Sequence, residues 1–167
     1  MTEEQLIARD LRRMDRETLP HRVARLAELN RRTTQDGMLF AGGEVVFYAY
    51  HDAQFAFLHG QWIATILTAQ VAIRRHLSAL LHIRQIDPPP APAKLIEAAQ
   101  TIGLDAETAA SLTELFKIAR WYTDYQDPPI ELQRLVAKGY DIQTMVETEA
   151  RQVMHIMLDY FTKYCVI

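Results

Sequence analysis

Arg120 opens the run Arg120-Trp121-Tyr122-Thr123-Asp124-Tyr125, where one permanently charged side chain stands among three aromatic rings. A guanidinium grips phosphate or carboxylate through paired hydrogen bonds, and an exposed ring stacks on a base or another ligand ring. The same residues also have a purely structural meaning. Arg120 can pair with Asp124, one helical turn on, or with Asp127, and the rings of Trp121, Tyr122 and Tyr125 can pack a helix end or an interface. A second basic group, Arg74-Arg75-His76 with His82 and Arg84, falls on the most strongly helical stretch and faces either phosphate or solvent.

Other chemistries have little footing. No two of the six histidines stand at the i, i+4 spacing that sets two imidazoles on one helix face for zinc, and no Glu-x-x-His occurs. Gly42-Gly43 lacks the Lys-Ser/Thr of a phosphate loop and a preceding strand. Ser78 and Ser111 lie in no nucleophile-elbow pattern. No metal and no cofactor is expected. Cys165 is the one cysteine, which excludes an internal disulfide.

The elements that must carry Arg120 and Arg74 are helices. Apolar residues recur at three- and four-residue spacing and strand alternation is nearly absent. Thr2 with Gln5 resembles a capping box opening a helix to about Glu17. Thr18-Leu19-Pro20 interrupts it, and a second helix is expected from Pro20 to about Arg32 with Val23, Leu26, Ala27 and Leu29 inward. Helices follow at 44–58, rich in aromatics, and at 61–84, where Ile63, Ile66, Leu67, Ile73, Leu77, Leu80 and Leu81 form the apolar stripe. Four prolines in the five positions 88–92 make a stiff connector. Beyond it come a short helix from 93 to 102 and a helix from an Asp105 N-cap to 121 or further, burying Leu112, Leu115, Phe116 and Ala119. A helix from Asp127-Pro128-Pro129 to Lys138, stopped by Gly139, is expected next. The last, 141–164, buries Ile142, Met145, Val146, Val153, Ile156 or Met157, Tyr160 and Phe161.

The composition fits one compact all-α domain: 167 residues, 49% hydrophobic and 23% charged. The net charge of −3 gives the whole molecule no strong pull on nucleic acid. Residues 1–84 carry 11 Lys/Arg against 9 Asp/Glu, and residues 85–167 carry 7 against 12. Eight arginines and six acidic residues share the first 32 positions, the pattern of a mixed-charge surface. The polar, acidic start is unlike a signal peptide. The longest apolar stretch, Trp62 to Ile73, falls short of the ~20 residues a bilayer needs. A reducing, cytoplasmic location without a membrane partner is the expectation.

Two of these helices resemble the signature helices of the HEPN family. Gly60-Gln61-Trp62-Ile63-Ala64-Thr65-Ile66-Leu67-Thr68-Ala69-Gln70-Val71-Ala72-Ile73 is similar to the family's first signature run, with Arg74 at a position where Glu is common. In the second signature an Arg, often followed by Asn, precedes a His after four to six residues. Arg120 matches the Arg, Trp121 stands where Asn is common, and Tyr125 stands near the place of the His. The likeness covers roughly residues 44–164, leaving 1–43 as an N-terminal helical extension.

In catalytic members the resemblance implies metal-free RNA cleavage, the Arg holding the scissile phosphate and the His moving a proton at the ribose. That proton transfer needs a group titrating near neutrality. A tyrosine, with a reference pKa of about 10, is a poor replacement, and no His lies between His82 and His155. The resemblance therefore implies an HEPN-like bundle of about four long helices that has kept the fold and lost the nuclease. It would act as a homodimeric binding or regulatory module with an anion-binding cleft near Arg120, Trp121, Tyr122 and Arg74, holding RNA, a nucleotide or a protein. Two alternatives remain: a metal-independent endoribonuclease of a toxin or defence system using Arg120 and Tyr125, and a partner subunit of a nucleotidyltransferase.

Overall fold

A computed structural model describes residues 3–32, 40–123, 137, 139 and 141–165, and these contain six helices and no strand. They are α1 (Glu3–Arg32), α2 (Gly43–Leu58), α3 (Trp62–Ile83), α4 (Pro92–Thr101), α5 (Ala106–Thr123) and α6 (Ile142–Tyr164). The helix expected from Asp127 to Lys138 and the Thr2 cap lie outside the described residues. The protein is all-α, as the periodicity implied.

The core forms where α3 packs against α2, α4, α5 and α6. Ile66, Ala69, Ala72, Ile73 and Leu77 make one fully buried face of α3, and the three alanines let neighbouring backbones approach closely. All four residues expected inward on α5 are buried there. On α6 the buried set is Ala150, Val153, Met154, Met157, Leu158, Tyr160 and Phe161, whereas Ile142 is exposed. Ile63, at the first turn of α3, is exposed as well.

The helix ends follow from local chemistry. Asp141 caps α6, its carboxylate accepting from the backbone N–H groups of Gln143 and Thr144 at 3.2 Å. Asp105 caps α5 by accepting from Thr108 N–H at 3.0 Å. Its hydrogen bonds to Lys163, Tyr164 and Thr108 hold its carboxyl well below the usual range. α2 ends at Gly60, whose φ of 71° lets Gln61 N–H reach back to Ala56 O at 2.8 Å and folds α3 against α2. α3 ends by the same reversal with Gln85 in the left-handed position, at φ 62°. Gln85 N–H donates to His82 O and Ile86 N–H to Leu81 O, both at 2.9 Å.

The N-terminal region departs from expectation. Instead of two helices broken at Thr18-Leu19-Pro20, α1 is one continuous helix of 30 residues with Pro20 inside it. The stretch around the proline is exposed, and side chains take up nearby carbonyls: Thr18 Oγ1 donates to Met14 O at 2.9 Å and Arg22 to Asp15 O at 3.3 Å. Val23, Leu26 and Ala27 are exposed, and Leu29 alone of the four enters the core. α1 docks through its C-terminal half, mostly by polar contacts. Arg25 Nε donates to Leu58 O at 2.9 Å, and its guanidinium lies 5.1 Å from the Trp62 ring centre. Glu28 accepts from Arg151 and from His155 Nε2, the latter at 2.7 Å. Burial pushes the Glu28 carboxyl up, but hydrogen bonds from His155 and Arg151 outweigh it and hold it below its ordinary value.

One polar group sits in the middle of the core. His76 is fully buried, with the Tyr160 hydroxyl 2.7 Å from Nδ1 and Cys165 Sγ 3.3 Å from Nε2. A neutral imidazole has one donor and one acceptor nitrogen, so both neighbours are satisfied in either tautomer. Burial lowers its pKa from 6.5 to about 4 and raises the Cys165 thiol to about 12.

Two outcomes follow. In the unfolded chain the imidazole binds a proton near pH 6.5, and in the folded chain only near pH 4. Stability is therefore full above pH 6.5 and falls as pH drops to 4, by about 3 kcal/mol from this group. Denaturant titrations across that range should show this loss, and the H76Q chain should lack the corresponding part of the slope. Glu28→Gln should destabilise the docking of α1 by about 1–3 kcal/mol, seen as faster hydrogen exchange over residues 21–32. Unchanged exchange would mean that Leu29 and Arg25 hold the helix alone.

Candidate functional site: two basic clefts beside a proline strap

α5 turns Arg120 outward because Leu112, Leu115, Phe116 and Ala119 take the inner face. Arg120 lines a groove of about 580 Å³ between α3, α4 and α5. Lys117, one turn earlier on the same face, joins it, with Gln70 from α3 and Ala91, Pro92 and Ala93 from the start of α4. Among the described residues no acidic side chain is in the lining. Lys117 also lies 3.5 Å from Glu114, an exposed pair that constrains it weakly, and Arg120 makes a contact of its own within the chain.

The start of α4 adds to the positive character of this groove. Its N-cap, Ala91, makes no side-chain capping bond, Pro92 has no N–H to lose at the first helical position, and the first turn carries no acid. The positive end of the helix dipole therefore faces the groove without an internal counter-charge.

Arg74 is elsewhere. It stands on the outer face of α3, donating to Pro90 O at 3.0 Å, and lines a second cleft of about 460 Å³ with Arg75, Ser78, His82 and Pro88 to Pro90. The expected single site of Arg120 with Arg74 is thus two clefts, separated by the strap of residues 88–92.

The aromatic residues divide as well. Tyr122 turns away from the Arg120 groove, packs against the core and donates its hydroxyl to Glu149 of α6. Burial and then Glu149 raise its pKa. Trp121 is half-buried and is not in the lining of either cleft. Tyr125 lies outside the described residues, as do Asp124 and Asp127.

Lys117 and Gln70 were not singled out from sequence. The i, i+3 spacing of Lys117 and Arg120 was a signal for the first, but nothing local places Gln70 opposite them. Among the described residues no group of three His, Cys, Asp or Glu side chains is placed to hold a metal ion, and no helix is long and apolar enough to cross a membrane.

Two further depressions differ in kind. One of about 330 Å³, between Leu77, Leu80, Tyr160 and Tyr164, is mostly apolar. The other, about 670 Å³, mixes Arg32, Arg151 and His155 with Glu114 and Asp159, so its charges answer one another. Among its described lining residues the Arg120 groove combines two cations, an uncapped helix start and an amide, without a carboxylate or an imidazole. Those groups are complementary to an anion, and none of them titrates near neutral pH. No protein-family model, curated protein or solved structure matches the chain.

If Tyr122 is a strut and not a ligand contact, Tyr122→Phe should lower stability by about 1–2 kcal/mol through the lost bond to Glu149. Anion binding by the same variant should equal that of the parent chain. Weakened binding at unchanged stability would return Tyr122 to the site.

Proposed function

We propose that this chain is a non-catalytic, HEPN-like binding module that holds a phosphate-bearing ligand, RNA or nucleotide, in the groove of Lys117 and Arg120. The observation that carries this is the groove's composition: two cations on successive turns of α5 beside the uncapped start of α4. Each guanidinium or ammonium contact to a phosphate is a charge-assisted hydrogen bond. The acidic remainder of the chain, at net −3 overall, confines attraction to this groove and its neighbour and gives no broad basic face.

The homodimer is part of the same proposal. Tyr48 and Phe55 on α2 and Ile7, Leu11 and Met14 on α1 are large apolar side chains left exposed in the single chain, the kind of surface that association covers. The endoribonuclease alternative requires a proton-transfer group beside Arg120, and none of the groove's described lining residues supplies one.

Fluorescence anisotropy with a short labelled single-stranded RNA tests the proposal. Lys117→Ala with Arg120→Ala should weaken binding about tenfold or more. The slope of log affinity against log salt should become shallower by about 0.7 per lost phosphate contact. Equal binding by parent and variant would sink it. Cleavage of the RNA by the parent chain in the presence of a chelator would replace it with the nuclease alternative.

A further inference from the structure

The outer face of α3 has a charge pattern that the Arg120 groove does not use. Between Asp52 and Asp87 the sequence has no acidic residue, yet it carries Arg74, Arg75, His82 and Arg84. In a chain whose acids outnumber its bases, an acid-free stretch of this length leaves one helix without local counter-charges. Positions 71, 74, 75, 78 and 82 follow the i, i+3, i+4, i+7, i+11 spacing of a single helix face. Arg74, Arg75, Ser78 and His82 therefore project together, and they line the cleft of about 460 Å³ under Pro88, Pro89 and Pro90. His76, in the middle of the run, is turned into the core and takes no part.

The cleft is preorganised from both sides. Its floor is a helix fixed by the core. Its other wall is three consecutive prolines, whose φ angles are set by their rings. Arg74 ties the two walls together through its bond to Pro90 O, which uses one of the five N–H donors of a guanidinium that lines the cleft. Arg75 is exposed and makes no ion pair among the described residues. Ser78 adds a hydroxyl and His82 a ring nitrogen, both donors that suit phosphate oxygens. The carboxyl end of the α3 dipole lies at Ile83, so an anion is favoured two turns back, at Arg74 and Arg75, and not at the helix end.

We infer that this cleft is a second phosphate site, separate from the Arg120 groove, in which Arg75 and Arg74 clamp a phosphate group with Ser78 and His82 as additional donors. The ligand class is a phosphomonoester or a short oligophosphate.

Isothermal titration calorimetry with inorganic pyrophosphate tests this on the full chain already carrying Lys117→Ala and Arg120→Ala. Loss of the first groove therefore does not bear on the result. That chain should bind one pyrophosphate. Adding Arg75→Ala, which breaks no ion pair among the described residues, should weaken binding tenfold or more, and Arg75→Lys should give an intermediate affinity because an ammonium keeps the charge and loses the fork. Thermal unfolding of each variant should match its parent. No pyrophosphate uptake by the K117A/R120A chain, or equal uptake with and without Arg75→Ala, would overturn the inference.

Discussion

The packing of α3 against four other helices constrains everything else in this molecule. Its inner face, Ile66, Ala69, Ala72, Ile73 and Leu77, is fully buried, so the helix cannot rotate without pulling apolar surface into water. Each such residue contributes about 1.5–3 kcal/mol for the larger side chains. Because the inner face is locked, the outer face is locked too, and with it the directions of Gln70, Arg74, Arg75, Ser78 and His82. The helix faces that carry the cations of both clefts are therefore set by the same core that stabilises the chain.

Two polar residues, Thr65 and His76, are buried on that helix, and Thr65 bonds within it to Gln61 O at 3.0 Å. His76 with Tyr160 and Cys165 forms a hydrogen-bonded chain between α3 and the end of α6. An apolar residue in its place would remove the need for partners altogether. An imidazole instead demands that α6 arrive in one register, with a hydroxyl on one side and a sulfur on the other. Buried polar groups of this sort cost stability at low pH and restrict the alternatives available to the core. The clamp of Glu28 with Arg151 and His155 acts similarly at the other side of α6, since it fixes α1 by direction and charge where Leu29 supplies little area.

Helix identity was legible in the sequence wherever the apolar spacing was long and uninterrupted. The bounds of α2, α3, α5 and α6 fall within a few residues of those expected, and the inner face of α5 is as expected throughout. The failures share a cause. Propensity and spacing describe a helix in isolation, whereas burial depends on what lies opposite. Pro20 reads as a break, but on an exposed rod the carbonyl it leaves without a donor can be solvated, and the helix continues. Val23 and Leu26 read as inward, but α1 meets the bundle along Arg25, Glu28 and Leu29. The candidate site was legible as residues and not as an arrangement. Arg74 and Arg120 both face solvent as cations in clefts, yet which cleft each belongs to depends on where residues 88–92 cross between them, and no spacing rule encodes that crossing.

The proline strap is what turns two basic helix faces into two sites. Without it, Arg74 and Arg75 on α3 and Lys117 and Arg120 on α5 would belong to one open surface whose cations repel one another. Pro88 to Pro90 form a wall on one side, and Ala91 with Pro92 begin α4 on the other. A chain segment of this composition has few conformations to lose on folding, so its placement costs little entropy. Its backbone carbonyl at Pro90 accepts from Arg74 while the α4 N-terminus two residues on presents donors to the opposite groove. One N–H of Arg74 is thereby held in a fixed position against the strap.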